Sequence, residues 1–237
     1  MEIVGHSRCR WSRTYDCDCD SLEEMMMGAW KQPVFKVCVF SACVIPLMVL
    51  AWQALSDQLG ANPIEEITDR TGIWTLRLLL ITLAVTPARR LTGWNRLVQV
   101  RRMLGLFAFF YGSLHFLTYI WLDQFFVVED MVADVMERPF ITVGLTSFIL
   151  LIPLAVTSTS DMIKRLGGKW WLRLHRLVYV TSIGGVVHYL WLVKADTRSP
   201  LIYGGILGVL LVYRLWDTYG RRVLVGFSLP RKAAVRR

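Results

Sequence analysis

Long apolar runs alternate with short polar connections along this 237-residue chain. Six runs approach the roughly 20 residues an α-helix needs to cross a bilayer: 34–52, 73–88, 103–122, 140–157, 171–193 and 201–216. The second is short and carries Arg77, a charge costly at bilayer depth that calls for a partner. The pattern predicts an all-α, polytopic membrane protein, a six-transmembrane-helix bundle. It divides the chain into a tail over 1–33, a membrane domain over 34–216 and a basic tail over 217–237. Between the third and fourth runs, 127–135 reads either as a short amphipathic helix or as a solvated acidic loop. No internal repeat is evident.

The connections orient the bundle. "QALSDQLGANPIEEITDRTG" and "LDQFFVVEDMVADVMERPF" are acidic, whereas "TPARRLTGWNRLVQVRR" and "TSTSDMIKRLGGKWWLRLHR" are basic. Of 27 Lys and Arg, only Arg70, Arg138, Lys194 and Arg198 fall on the acidic side. The positive-inside rule then puts the basic loops and both termini in the cytoplasm. Composition agrees: 54% of residues are hydrophobic and 19% charged, above the roughly 45–50% apolar content of soluble domains. The net charge of +9 is therefore a topology signal and not a nucleic-acid footprint.

The five cysteines add little. Cys38 and Cys43 read as small buried side chains. Cys9, Cys17 and Cys19 lack the recurring spacing of a zinc site. The first 33 residues hold no signal-peptide core. Met25-Met26-Met27 offers a second translation start, which would make the preceding tail an extension.

Three of the four histidines stand in or beside apolar runs. Each alone is ordinarily a polar residue satisfied by a neighbouring helix. Together they suggest a cofactor, because bundle-core sites are built from facing helices and haem iron takes axial imidazoles. His115 lies about 10 Å below the outer end of its span and His188 roughly 7 Å below its own, at about 1.5 Å per residue. Both spans run outward, so the two imidazoles could share one porphyrin. Arg77, near the outer start of its span, could pair with a haem propionate or snorkel to the interface.

His175 lies about 20 Å further in along the fifth run, with its side chain roughly 140° around an ideal helix from that of His188. That separation suits two cofactors stacked across the membrane, with His175 the one candidate ligand at the inner site. The matching inner position on the third run is Arg101, which cannot ligate iron but could hold a propionate or phosphate, so an inner haem needs another ligand or the inner cofactor is something else. Around it stand other basic residues, Gly167-Gly168, Trp94, Trp170 and Trp171. These could receive the phosphate and ring of a flavin mononucleotide, or form an ordinary basic collar with an aromatic belt. The chain carries no P-loop, G-x-S-x-G or H-E-x-x-H motif. "YGGILGV" reads as a small-residue packing face.

Four segments carry a resemblance: "GIWTLRLLLITLAVTPARRL", "RRMLGLFAFFYGSLHFLTY", "PLAVTSTSDMIKRLGGKWWLRLHRLVYV" and "GGVVHYLW". Over roughly 34–216 the chain resembles the MsrQ (YedZ) family of the ferric-reductase-like transmembrane group. The resemblance implies a bacterial inner-membrane subunit carrying haem b and FMN, with the family's histidines falling at His115, His175 and His188. It implies a partner, MsrP, a periplasmic molybdopterin-dependent enzyme that reduces methionine sulfoxide in oxidised proteins. The expected role is an electron conduit fed by a cytoplasmic flavin reductase or by quinol, a redox subunit without its own substrate-reducing site. The rivals are a quinol-oxidising or metal-reducing cytochrome b, and a histidine-based transporter.

Overall fold

The computed structural model describes the backbone of residues 19–193 and 195–220, with side chains from 33 to 218 except at 194. Cys9, Cys17, Lys194 and the tail beyond residue 220 lie outside the described residues, as do the side chains of Cys19 and Met25 to Met27. The chain divides between Val39 and Phe40 into two units. The first carries the start of helix α1 (Cys19–Leu55), so the 33/34 boundary falls within that helix. The contacts described below belong to the second unit.

Among the described residues every regular element is helical. Five helices among these residues are long and apolar enough to cross a membrane, over Pro33–Leu55, Pro63–Thr92, Leu97–Asp123, Pro139–Val156 and Arg198–Thr218. Their exposed faces carry Ile45, Met48, Leu117, Ile149, Val209 and Val212, as expected where the surrounding solvent is lipid.

Helix α2 (Pro63–Thr92) is longer than the 73–88 expected from hydropathy. Local chemistry sets both ends. The Asn62 side chain caps Glu65 N–H at 3.5 Å and Pro63 sits where a missing N–H costs nothing. Gly93 closes the helix at φ 71°, a conformation that favours glycine. This helix is central: Leu76, Leu78, Leu79, Leu80, Leu83 and Val85 are all buried. Helix α3 (Leu97–Thr118) returns antiparallel and buries one face, Val100, Leu104, Ala108 and Tyr111. It ends in a π-helical turn, Tyr119–Asp123. The Tyr111 hydroxyl donates to the Cys43 carbonyl at 2.8 Å, tying α3 to α1. Cys43 is buried as expected; Cys38 is exposed.

The 127–135 segment is helical, as α4 (Val128–Glu137). Helix α5 (Pro139–Val156) starts on a proline and packs closely against α8 (Leu177–Leu192). Between them lie two short helices, α6 (Ser160–Leu166) and α7 (Gly168–Leu174), joined at Gly167 with φ 73°. The expected continuous span over 171–193 is thus broken at His175–Arg176. Its apolar part is the 16-residue α8, shorter than the five helices long enough to cross a membrane. Helix α9 (Arg198–Leu215) packs on α8 and α2. Only part of its glycine face packs. A Cβ on Gly204 would lie 3.4 Å from Val186, whereas Gly205 and Gly208 face open space.

Candidate functional site

Helix pairs α2–α3 and α5–α8 each bring a histidine to the same end of the bundle. His115 is near the end of α3, beside the start of α2. His188 is near the end of α8, beside the start of α5. The two ring centres are 6.0 Å apart and the ring planes meet at 77°.

Each ring is held through the same atom. His115 Nδ1 lies 2.8 Å from the Thr68 carbonyl oxygen, and His188 Nδ1 lies 2.7 Å from that of Phe140. A carbonyl only accepts, so Nδ1 is the protonated donor in both rings. The lone pair is left on Nε2. This is the arrangement of metal-bound histidines, whose second nitrogen donates to a carbonyl or carboxylate. On the yardstick of zinc–imidazole bonds, two metal–nitrogen bonds of about 2 Å, with roughly 1 Å from each nitrogen to its ring centre, place axial imidazoles about 6 Å apart. The observed spacing fits an iron porphyrin between them. Among the described residues no group of three or more His, Cys, Asp and Glu could hold a metal. A macrocycle supplying its own equatorial nitrogens suits this donor set better than a bare ion does.

Close packing makes the spacing possible. A Cβ on Gly72 would lie 3.0 Å from His115 Nδ1 and Cε1, and one on Gly144 would lie 2.7 Å from His188 Nδ1. Sequence reasoning missed both glycines, since a glycine within an apolar helix is not a distinctive signal. Aromatic rings line the neighbourhood: Phe140 is 6.2 Å from His188, and Phe148 stacks on Phe109 and packs on Phe116.

Arg77 stands elsewhere than expected. It lies five residues beyond Gly72 in the extended α2, roughly 8 Å further toward the other end of the bundle. Its side chain is exposed, its Nε donates to the Tyr203 hydroxyl at 2.8 Å and its guanidinium lies 5.0 Å from the Trp74 ring centre. It is not a charge buried among apolar side chains.

His175 is not brought to the pair. It sits at the break between α7 and α8, where its Nε2 lies 3.2 Å from the Thr157 hydroxyl and Trp171 stacks on the ring at 3.9 Å. The Thr157 hydroxyl donates to the Pro153 carbonyl at 2.6 Å, and Trp171 Nε1 donates to the Thr157 carbonyl at 3.0 Å. His175 Nε2 is therefore engaged, and among the described residues no second imidazole faces it.

Around His175 the charge is positive. Arg101 acts electrostatically on His175 and is close enough to Arg214 for mutual repulsion. Arg214 donates from Nη2 to the Thr86 hydroxyl at 2.7 Å and to the Leu83 carbonyl at 3.4 Å, while its Nε is buried without a hydrogen-bond partner among the described residues. Its guanidinium lies 6.0 Å from the Tyr179 ring centre. Two repelling guanidiniums with a spare buried donor are suited to receiving an anion. Sequence reasoning identified Arg101 but passed over Arg214, which looked like one more positive-inside residue.

Residues 71–186 match the family model described as ferric reductase like transmembrane component. A protein of Herminiimonas arsenicoxydans named protein-methionine-sulfoxide reductase heme-binding subunit MsrQ is 55% identical over 191 residues, covering 80% of this chain and 88% of that one. One of the same name from Rhodospirillum rubrum is 52% identical over 187 residues, covering 79% and 90%. Another, from Xanthomonas campestris pv. campestris, is 47% identical over 208 residues, covering 85% and 95%.

Proposed function

This chain belongs to the MsrQ family, and from that premise we propose that it is the haem-binding, electron-transferring membrane subunit of a protein-methionine-sulfoxide reductase system. His115 and His188 hold a haem b through Nε2. The Thr68 and Phe140 carbonyls fix both tautomers, leaving those nitrogens available. The observation that carries the reading is the facing pair, 6.0 Å apart and each held by Nδ1 on a helix carbonyl. Haem, when bound, supplies a one-electron iron couple; the chain supplies ligands, spacing and a dry wall. Arg77 is the candidate partner for a haem propionate. His175, with Thr157 at its Nε2 and no second imidazole facing it among the described residues, lines the inner site.

At the inner end, Arg101 and Arg214 receive an anionic group, and we assign it to the phosphate of FMN. The chain crosses a bacterial inner membrane six times, α8 being the fifth crossing, with both termini cytoplasmic. Residues 34–216 form the haem-binding domain between tails 1–33 and 217–237. Electrons arrive from a cytoplasmic flavin reductase or quinol and leave to a periplasmic molybdopterin-dependent partner, MsrP. Sulfoxide reduction takes place on that partner.

The test is the absorbance of the purified full chain. A b-type spectrum is expected, with the haem held by the facing pair lost in His115→Ala and His188→Ala. A haem-free preparation still able to pass electrons to its partner, or unchanged spectra in both variants, would overturn the reading.

A further inference from the structure

The two histidine-bearing helix pairs repeat one packing device. On α2, Gly72 faces His115 and, three residues on, Thr75 faces Gly112 of α3, where a Cβ would lie 3.4 Å from the threonine methyl. On α5, Gly144 faces His188 and, three residues on, Ser147 faces Gly184 of α8, where a Cβ would lie 2.1 Å from the serine oxygen. Each pair thus carries a glycine opposite the histidine and a second glycine one helical turn before it. The accepting carbonyls follow the same register. Thr68 is four residues before Gly72, and Phe140 four before Gly144.

That register has a physical reason. In an α-helix the carbonyl at i−4 already accepts the N–H of residue i, and its second lone pair points outward. An imidazole reaches that lone pair only by lying along the backbone over residue i. Any side chain there holds the ring away.

We propose that Gly72 and Gly144 are paired positioning residues for haem ligation. Each is a socket that seats an imidazole on the helix backbone and so commits Nδ1 to the carbonyl and Nε2 to the metal. The inference rests on the haem reading above and extends it to two residues that touch no iron. It also identifies α2–α3 and α5–α8 as spatial equivalents, a repeat invisible as sequence similarity.

The sockets differ in tightness, and that difference is testable. The full chain is purified with haem as wild type, Gly72→Ala, Gly144→Ala and Gly208→Ala. Haem per protein, the low-spin electron paramagnetic resonance signal and the midpoint potential are measured for each. At 2.7 Å against 3.0 Å, Gly144→Ala displaces its ring more and loses about tenfold or more in haem retention. Gly72→Ala keeps more haem but shows a shifted resonance signal and potential. Gly208→Ala, whose Cβ meets nothing within 4 Å, matches wild type. Alanine is the better helix former, so a merely helical role predicts no loss at either socket.

Wild-type haem content, resonance signal and potential in both socket variants would overturn the proposal, provided His115→Ala and His188→Ala lose haem. Haem retained unchanged in those histidine variants would instead sink the ligand assignment itself. If Gly144→Ala does not accumulate, Gly72→Ala decides, and wild-type values there overturn the proposal.

Discussion

Pro87 and Arg214 offer a quantitative test of the inner site. Pro87 lies inside α2 and has no N–H, so the carbonyl four residues earlier, Leu83, loses its helical donor. Arg214 Nη2 approaches that oxygen from α9 at 3.4 Å while making a shorter bond to Thr86. Arg214→Met should strand the carbonyl, and Pro87→Ala should give it back an N–H. A single substitution is a poor gauge, because Arg214→Met also removes the buried unpaired Nε and the repulsion of Arg101. Those gains offset the loss. The difference between backgrounds isolates the carbonyl. Leaving it unsatisfied costs about 1–3 kcal/mol, and the long 3.4 Å contact puts the expected coupling near the lower bound, about 1 kcal/mol. For a chain of this size that is a melting difference of about 2–4 °C. The assay is thermal unfolding of wild type, both single variants and the double variant in one detergent. Flavin-free protein is used, so that ligand linkage does not enter. Arg214→Met should be more harmful in the wild-type background than in the Pro87→Ala background. Equal shifts in the two backgrounds would refute the pairing of Arg214 with the proline-freed carbonyl.

Other outcomes follow from the same geometry. His175→Ala should keep the haem of the facing pair that His115→Ala and His188→Ala lose, because His175 sits apart from that pair beside Thr157; absorbance of the three purified variants checks this. Arg101→Ala should lower bound flavin severalfold while leaving haem per protein unchanged, as read by flavin fluorescence after denaturation beside haem absorbance. Tyr203→Phe should remove the acceptor for Arg77 Nε and lower stability by about 1 kcal/mol, measured by thermal unfolding.

Much of this molecule follows from one-dimensional facts. Apolar runs of bilayer length give helices, since lipid leaves backbone groups no other partner. Charge asymmetry between loops predicts their orientation, and counting residues from span ends brings His115 and His188 to one level. Other features lie outside what hydropathy reports. Hydropathy cannot show that α2 extends beyond its apolar stretch, because Asn62, Pro63 and Gly93 set its ends through local geometry. Nor can it show the break at His175–Arg176, where Thr157 and Trp171 hold the imidazole at a bend.

Hydropathy alone placed the long helices α1, α2, α3, α5 and α9, and residue chemistry showed which side chains could hold iron or an anion. Tertiary packing decided which nitrogen each imidazole keeps free. That choice belongs to carbonyls 47 and 48 residues away in the chain, reached only because glycine lets two helices close on a ring.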